Sequence, residues 1–322
     1  MQQSVKLRSE KTTGVRILSL APMMGWEKIF NKKTKILILK SGNPGNKKVV
    51  IISSLHGNEL SGFLLLKKLK KALLPISEKN QCQIILIPFL NVEGIRKKTR
   101  NDPISNQDLN RCFEKKNPPS SISFLKLILK NSSLVLDLHC FPETRQTLTG
   151  LLFTSKKNEK ISSKNKALLN IFSPKIIWHL DFDDLDKSKI GSLGKWLTEN
   201  NIPNLAIETE SPEFLKTTEV ISICQKIKKL IISTLSKNEN PNTSCLPIFK
   251  RKVIFSPKEG IFTPEVKKME LVKKGKIIGS ITDLNFGESK VVTNFTGKVV
   301  FIRNTVFVKK GEKLAGIAVK EE

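Results

Sequence analysis

Three consecutive stretches constrain the fold of this chain more than any other feature. Val49-Val50-Ile51-Ile52 is an apolar run of the kind that forms a buried strand. Leu60, Phe63, Leu64, Leu66, Leu69 and Leu73 then recur at helical spacing, which predicts an amphipathic helix over Leu60 to Leu74, ending before Pro75. Gln83 to Pro88 reads as a second buried strand. Strand, helix, strand in this order predicts an α/β sheet with helices on its faces. Sites in such sheets form at the carboxyl ends of the strands. That places weight on Leu55-His56-Gly57-Asn58-Glu59-Leu60, which follows the first strand. Gly57 permits a tight turn. His56 and Glu59, three positions apart, can reach one metal ion. Alone, such a pair is more often a hydrogen-bonded structural pair.

The remainder of the chain adds to that site. Asn91 to Ile95, then Thr99 to Phe113, lack a clear period and are rich in turn formers. A long irregular segment within a compact domain is usually functional. Arg100, Asn110 and Arg111 place two guanidinium groups and one amide in it, groups suited to holding a carboxylate or a developing oxyanion. In isolation they read first as a solvated polar loop. Ser133 to His139 is a strand that ends on a second His, with Asp137 two residues earlier on the same face, placed to orient an imidazole. The third His, His179, sits in a mixed apolar context and reads as structural. Pro203 precedes the strand Leu205-Ala206-Ile207-Glu208-Thr209-Glu210. A carboxylate in an apolar strand is costly unless partnered, so Glu208 or Glu210 is a candidate general base. A helix is expected over Ile190 to Asn200 and another over Glu219 to Ser236.

Residues 237 to 244 are polar and turn-rich, a linker. The chain therefore divides into a domain over residues 1–240 and a smaller one over 245–322. In the second, helical periodicity disappears and short Gly-punctuated strands replace it. It also echoes itself: Val272-Lys273-Lys274-Gly275 recurs as Val308-Lys309-Lys310-Gly311. The two halves predict a small pseudo-symmetric β sandwich that resembles the biotinyl/lipoyl-carrier barrel. The hairpin between the halves, Asp283 to Gly287, has no Lys at its tip, so the fold is expected without the modified arm.

Composition excludes other classes. Apolar residues at 39% and charged residues at 26% describe a globular chain rather than a disordered one. No apolar run approaches the length of a membrane span, and a cytoplasmic location is expected. The net charge of +27 invites a nucleic-acid reading, but only eight of the 56 basic residues are Arg, the residue base readout favours. The lysines are spread from end to end, and there is no Tyr to stack on bases. No specific nucleic-acid partner is expected. The five cysteines form no Cys-x-x-Cys pair, which argues against a disulfide framework and a thiolate zinc site.

Together, His56-Gly57-Asn58-Glu59, Arg100 with Asp108-Leu109-Asn110-Arg111-Cys112-Phe113, Asp137-Leu138-His139 and Pro203-Asn204-Leu205-Ala206-Ile207-Glu208 resemble the succinylglutamate desuccinylase/aspartoacylase family, relatives of zinc carboxypeptidases. The resemblance implies a zinc-carboxypeptidase-like mixed sheet with helices on both faces. It implies His56, Glu59 and His139 as ligands of one zinc per chain, with a coordination position left for water. It makes Glu208 the base and Arg100 the oxyanion group, with Asn110 and Arg111 on the substrate carboxylate. Glu210 stands where the family often has Gly, and Cys140 to Arg145 match no one family specificity. Arg145 reads as a substrate contact or a surface ion pair. The implied activity is hydrolysis of an amide in a small N-acyl amino acid or related metabolite. The alternatives are a metallocarboxypeptidase acting on peptides and a non-catalytic scaffold. A homo-oligomer is left open.

Overall fold

The computed structural model describes residues 15–17, 25–42, 47–183, 191–236 and 246–320. Asn43-Pro44-Gly45-Asn46, which the sequence predicts as a turn, and the linker at 237–244 lie outside these. Four strands come first: β1 (Val15–Ile17), β2 (Glu27–Asn31), β3 (Ile36–Ser41) and β4 (Lys48–Ser53). They are followed by α1 (Ser61–Lys79), β5 (Gln83–Ile87), α2 (Val92–Lys97), α3 (Ser120–Leu129) and β6 (Leu134–Cys140). Next come β7 (Thr144–Gln146), β8 (Thr149–Thr154), α4 (Glu159–Phe172), β9 (Ile176–Asp181), α5 (Leu193–Glu199), β10 (Asn204–Thr209) and α6 (Thr217–Leu235). The rest is all β: β11 (Ile248–Phe255), β12 (Gly260–Pro264), β13 (Leu271–Val272), β14 (Ile277–Thr282), β15 (Glu288–Val292), β16 (Gly297–Arg303), β17 (Val306–Val308) and β18 (Lys313–Lys320).

The centre of the sheet runs β5-β4-β6-β10, all parallel, and continues through β8, antiparallel to β10, to β9. Strand alternation sends successive residues to opposite faces, and each face has its own helices. Val49 and Ile51 of β4 join Leu65, Leu69 and Leu73 of α1, Leu169 and Phe172 of α4, and Ile227 and Leu230 of α6. Val50 and Ile52 face the other way, toward Ile122, Leu125 and Leu129 of α3 and Leu193 and Leu197 of α5. Coverage on both faces explains why β6 and β10 are buried at every position. The mixed sheet with helices on both faces agrees with the expected fold class.

Two local expectations need correction, and one strand has no counterpart among them. α1 does not stop before Pro75 but runs through it to Lys79. Proline forfeits one backbone bond, yet Ile76 beyond it packs in the core and the Ser77 hydroxyl donates to the Cys82 carbonyl at 2.7 Å. Tertiary packing outweighs the local penalty. The segment from Asn91 also contains α2, capped by the Asn91 side chain accepting from the Gly94 N–H. Before β4 there is a further strand, β2, whose alternation of half-buried and exposed residues is weak in sequence.

The C-terminal strands are hydrogen-bonded to the sheet rather than held apart from it. β11 pairs parallel with β9 (Phe249 with Trp178), and β16 pairs with β7 (Phe301 with Gln146). β18, β16 and β13 extend the same sheet, while β15, β14, β12 and β17 form a second one. The internal echo is visible in the backbone. Gly275 and Gly311 both take positive φ, at 87° and 82°. Their N–H groups donate to the Thr293 and Ser256 carbonyls respectively. Among the described residues, no helix is long and apolar enough to cross a membrane.

Candidate active site

The parallel register brings the predicted site residues to one end of the sheet. Glu208 of β10 stands opposite His139 of β6, and β4 leads into His56 beside them. The His56–Glu59 turn closes with the Glu59 N–H on the His56 carbonyl at 3.2 Å. Gly57 in that turn is required by close approach: an added Cβ would lie 2.1 Å from the Gly94 backbone. The turn thus packs directly on α2.

Glu59 is the hub. Its Oε2 lies 2.7 Å from His139 Nδ1, and its Oε1 lies 2.8 Å from His56 Nδ1. Ligand atoms of His56, Glu59 and His139 all fall within 4.8 Å of one another, and all three residues are buried. The remote nitrogens are held too. His139 Nε2 sits 2.7 Å from Asp137 Oδ2, and His56 Nε2 sits 3.1 Å from Asp108 Oδ1. Each imidazole is therefore oriented by a carboxylate on its far side while its Nδ1 faces the shared Glu59. That is the arrangement expected of metal-ligating histidines. His56 Nδ1 is buried and not aligned for a hydrogen bond, which leaves a lone pair without a partner. Two imidazoles, one carboxylate and an orphaned nitrogen fit a divalent metal of the zinc type.

The electrostatics follow from this packing. Burial opposes charge on Glu59, yet the two imidazoles hold its carboxyl well below the usual range. Burial likewise opposes charge on His139, but Asp137 and Glu59 hold its pKa well above that of a free imidazole. Asp108 is kept ionised, against burial, by His56 and by Arg100. Glu208 is different: burial pushes its carboxyl up, Glu59 adds to that, and its Oε2 has no hydrogen-bond partner.

Arg100 is engaged. Its Nε and Nη2 donate to Asp108 Oδ2 at 3.2 and 3.1 Å, and Nη1 donates to Glu59 Oε1 at 3.2 Å. Asn110 Oδ1 accepts from the Leu193 N–H at 2.8 Å, and Arg111 Nη1 donates to the Asn110 carbonyl at 2.6 Å. His56, Glu59, Arg100, Asn110, Arg111, His139 and Glu208 all line one pocket. Three other residues raised by the sequence do not. Glu210 is paired with Lys268 at 2.7 Å, Arg145 is exposed and stacks on Phe214, and His179 contacts Thr154.

Sequence reasoning assigned no role to Asp108, and it missed Arg251 and Lys313, which line the pocket from β11 and β18. A clue to Arg251 was present. It alternates with exposed Lys250 and Lys252, on the strand face shared by Phe249 and Val253, which pack in a core cluster.

Residues 45–183 match the model of the succinylglutamate desuccinylase/aspartoacylase catalytic domain. No curated protein matches the sequence. Solved structures do, over nearly the whole chain. An aspartoacylase family protein from Mesorhizobium loti is 19% identical with a TM-score of 0.72, covering 97% of this chain and 96% of that one. The ectoine utilization protein EutE (DoeB) from Ruegeria pomeroyi, determined with product bound, is 16% identical with a TM-score of 0.79, covering 96% and 100%. A succinylglutamate desuccinylase/aspartoacylase from Rhodobacter sphaeroides is 18% identical with a TM-score of 0.73, covering 97% and 96%. At these identities the structural likeness speaks for the fold. The family model speaks for the motifs: over residues 45–183 the chain is similar to the succinylglutamate desuccinylase/aspartoacylase catalytic domain.

Proposed function

We propose that this protein is a zinc-dependent deacylase that hydrolyses the amide bond of a small N-acyl amino acid or related metabolite. One observation carries the reading: three metal-ligand groups and an unpartnered buried carboxylate, Glu208, meet in one pocket. The family's name, that of deacylases, supports it.

His56, Glu59 and His139 hold one zinc per chain, and zinc when bound lowers the pKa of water and polarises a carbonyl. Glu208 is the general base: its free Oε2 takes the proton from the attacking water and returns it to the leaving nitrogen. A raised pKa suits both halves of that task. Arg100 stabilises the oxyanion through the second N–H of Nη1, the first being donated to Glu59 Oε1. Asn110, whose Oδ1 is occupied by Leu193, presents its amide N–H groups, and with Arg111 it fixes the substrate carboxylate. The C-terminal segment, on this reading a biotinyl/lipoyl-type fold without an arm, serves as a wall. Arg251 and Lys313 project from it into the pocket, which favours a small substrate over the long chain a carboxypeptidase takes.

The test is metal content of the purified protein and of His139→Ala, with a panel of N-acetyl and N-succinyl amino acids. The expected result is about one zinc per chain, lost in the variant together with amide hydrolysis. Wild-type protein that holds no divalent metal after reconstitution would sink the reading.

A further inference from the structure

The pocket has two chemically different ends. One holds the metal-ligand groups and Glu208, and the other is built of carbon. Ala206 precedes Glu208 by two residues on β10 and so shares its face of the sheet. Leu151 of β8 stands opposite Ala206, and Phe153, two residues on, stands opposite Leu180 of β9. Phe182, just past β9, stacks on Phe153 with ring centres 5.5 Å apart and planes 9° apart. These five side chains all line the pocket, and none carries a hydrogen-bonding group. Successive rows on a strand face are about 6.6 Å apart, so the Phe153 row lies about 13 Å along the sheet from the Glu208 row. Leu180 and Phe182 are only half-buried, and their carbon surface stays wet until something apolar covers it. α5 roofs this end: a Cβ added at Gly194 would lie 2.5 Å from the Phe153 ring, so the first turn of the helix rests directly on it. The neighbouring Ser192 hydroxyl is turned to its own helix, accepting from the Lys195 N–H at 3.3 Å. The C-terminal cations are seated elsewhere, Arg251 over Trp178 and Lys313 over Phe141.

We infer that this carbon-lined end is a specificity pocket that receives an apolar side chain, aromatic or branched aliphatic, on the amino-acid half of the substrate. The inference rests on the deacylase reading, which places the carboxylate of an N-acyl amino acid at Asn110 and Arg111. Both of those residues are joined to the segment that enters α5. Asn110 Oδ1 accepts from the Leu193 N–H at 2.8 Å, and a Cβ added at Gly191 would lie 2.6 Å from the Arg111 carbonyl oxygen. The carboxylate they hold therefore lies on the α5 side of the pocket. The substituent nearest to it, the side chain on the same carbon, is the group that reaches Phe153, Leu180 and Phe182. The acyl group lies across the scissile bond, away from that carboxylate. An acidic side chain at this end would exchange water for hydrocarbon with no donor from the five side chains that line it.

The experiment pairs two assays on the full-length, zinc-loaded protein. One is hydrolysis of the N-acetyl derivatives of L-phenylalanine, L-leucine, glycine and L-aspartate. The other is calorimetric titration with the free amino acids. In the wild type, kcat/KM for the phenylalanine and leucine derivatives should exceed that for N-acetylglycine by about tenfold or more, with no such gain for aspartate. Phe182→Ala and Leu180→Asn should each remove most of that gain, through KM rather than kcat. Thermal melts identify a variant that fails to fold, and Phe182→Ala, at the rim, then carries the test. An aspartate derivative cleaved as well as the phenylalanine one overturns the pocket, as does a phenylalanine-to-glycine ratio unchanged in both variants. N-hexanoylglycine cleaved faster than N-acetylglycine, with that gain lost in Phe182→Ala and none from the side chain, overturns it too, since this end would then hold the acyl chain. The titration separates the two readings. Phenylalanine bound more tightly than glycine, with the difference lost in the variants and no amide cleaved, keeps the pocket and rejects the deacylase. Cleavage that favours the aspartate derivative keeps the deacylase and rejects the pocket, and protein that favours the apolar compounds in neither assay rejects it as well.

Discussion

The strand ends of β4 and β6 and the strands β11 and β18 face one pocket, yet they hold their charges in opposite ways. On the first side every ionic group is wired to another. Glu59 joins both imidazoles and Arg100, and Asp137 and Asp108 take the far nitrogens. On the second side the Arg251 and Lys313 side chains have aromatic rings beneath them and form no ion pair among the described residues, with Glu208 acting on both only through space. A wired network in a low-dielectric site costs no reorganisation when it acts, which suits groups that must hold a metal in one geometry. Half-buried cations without an ion pair carry a standing desolvation penalty. The difference teaches that one wall is fixed by hydrogen bonds between its ionic groups and the other by ring faces beneath its cations.

The largest expected effects come from breaking the wired side. Asp137→Asn removes the carboxylate from a buried imidazole that has no alternative partner at Nε2. Loss of such an orienting group costs metal affinity by about 10- to 100-fold, and a fully buried site belongs at the upper end. Asp108→Asn should cost less at the metal, about tenfold, because Asp108 is more exposed, at 20% against 8% for the Asp137 side chain. It should, however, also release Arg100, whose Nε and Nη2 it holds. Competition titration with a zinc chelator gives the order of the two, and kcat reports the Arg100 component. If Asp108→Asn proves the more damaging at the metal, the wiring is not graded by burial as argued.

Much of this wall was legible in the sequence because its geometry is local or set by strand direction. Asp137 and His139 share a strand face by alternation, and His56 and Glu59 share a turn. Parallel pairing of β4, β6 and β10 follows from runs buried on both faces, and it carries the ends together. Asp108 was not legible as a partner of His56: 52 residues separate them, and only the fold of the irregular segment joins them. The segment's own anchors, such as the Asp102–Gln107 bridge, have no period to read. Lys313 was obscured by composition, since one lysine among many scattered ones carries no distinction. Its burial depends on β18 pairing with both β11 and β16, a contact between distant parts of the chain. Pro75 misled for the converse reason, a local rule overruled by packing beyond it.

The smallest expected effect sharpens the other side of the comparison and concerns protons. Lys313 falls from 10.5 to about 8 in the folded protein, through burial first and then the neighbouring Arg251 of β11 and Arg100. Glu208 of β10 and Glu59 pull the other way. Between those two values the unfolded chain binds a proton that the native protein does not. Stability of the zinc-free protein should therefore rise with pH across that window, where most proteins are flat or falling. Lys313→Met removes the titrating group, so the variant should lack this rise and match or exceed the wild type below it. Urea midpoints at the two ends of the window measure both. A wild type whose stability shares the variant's pH dependence would show that Lys313 is already paired, and the contrast between the two walls would then reduce to Arg251.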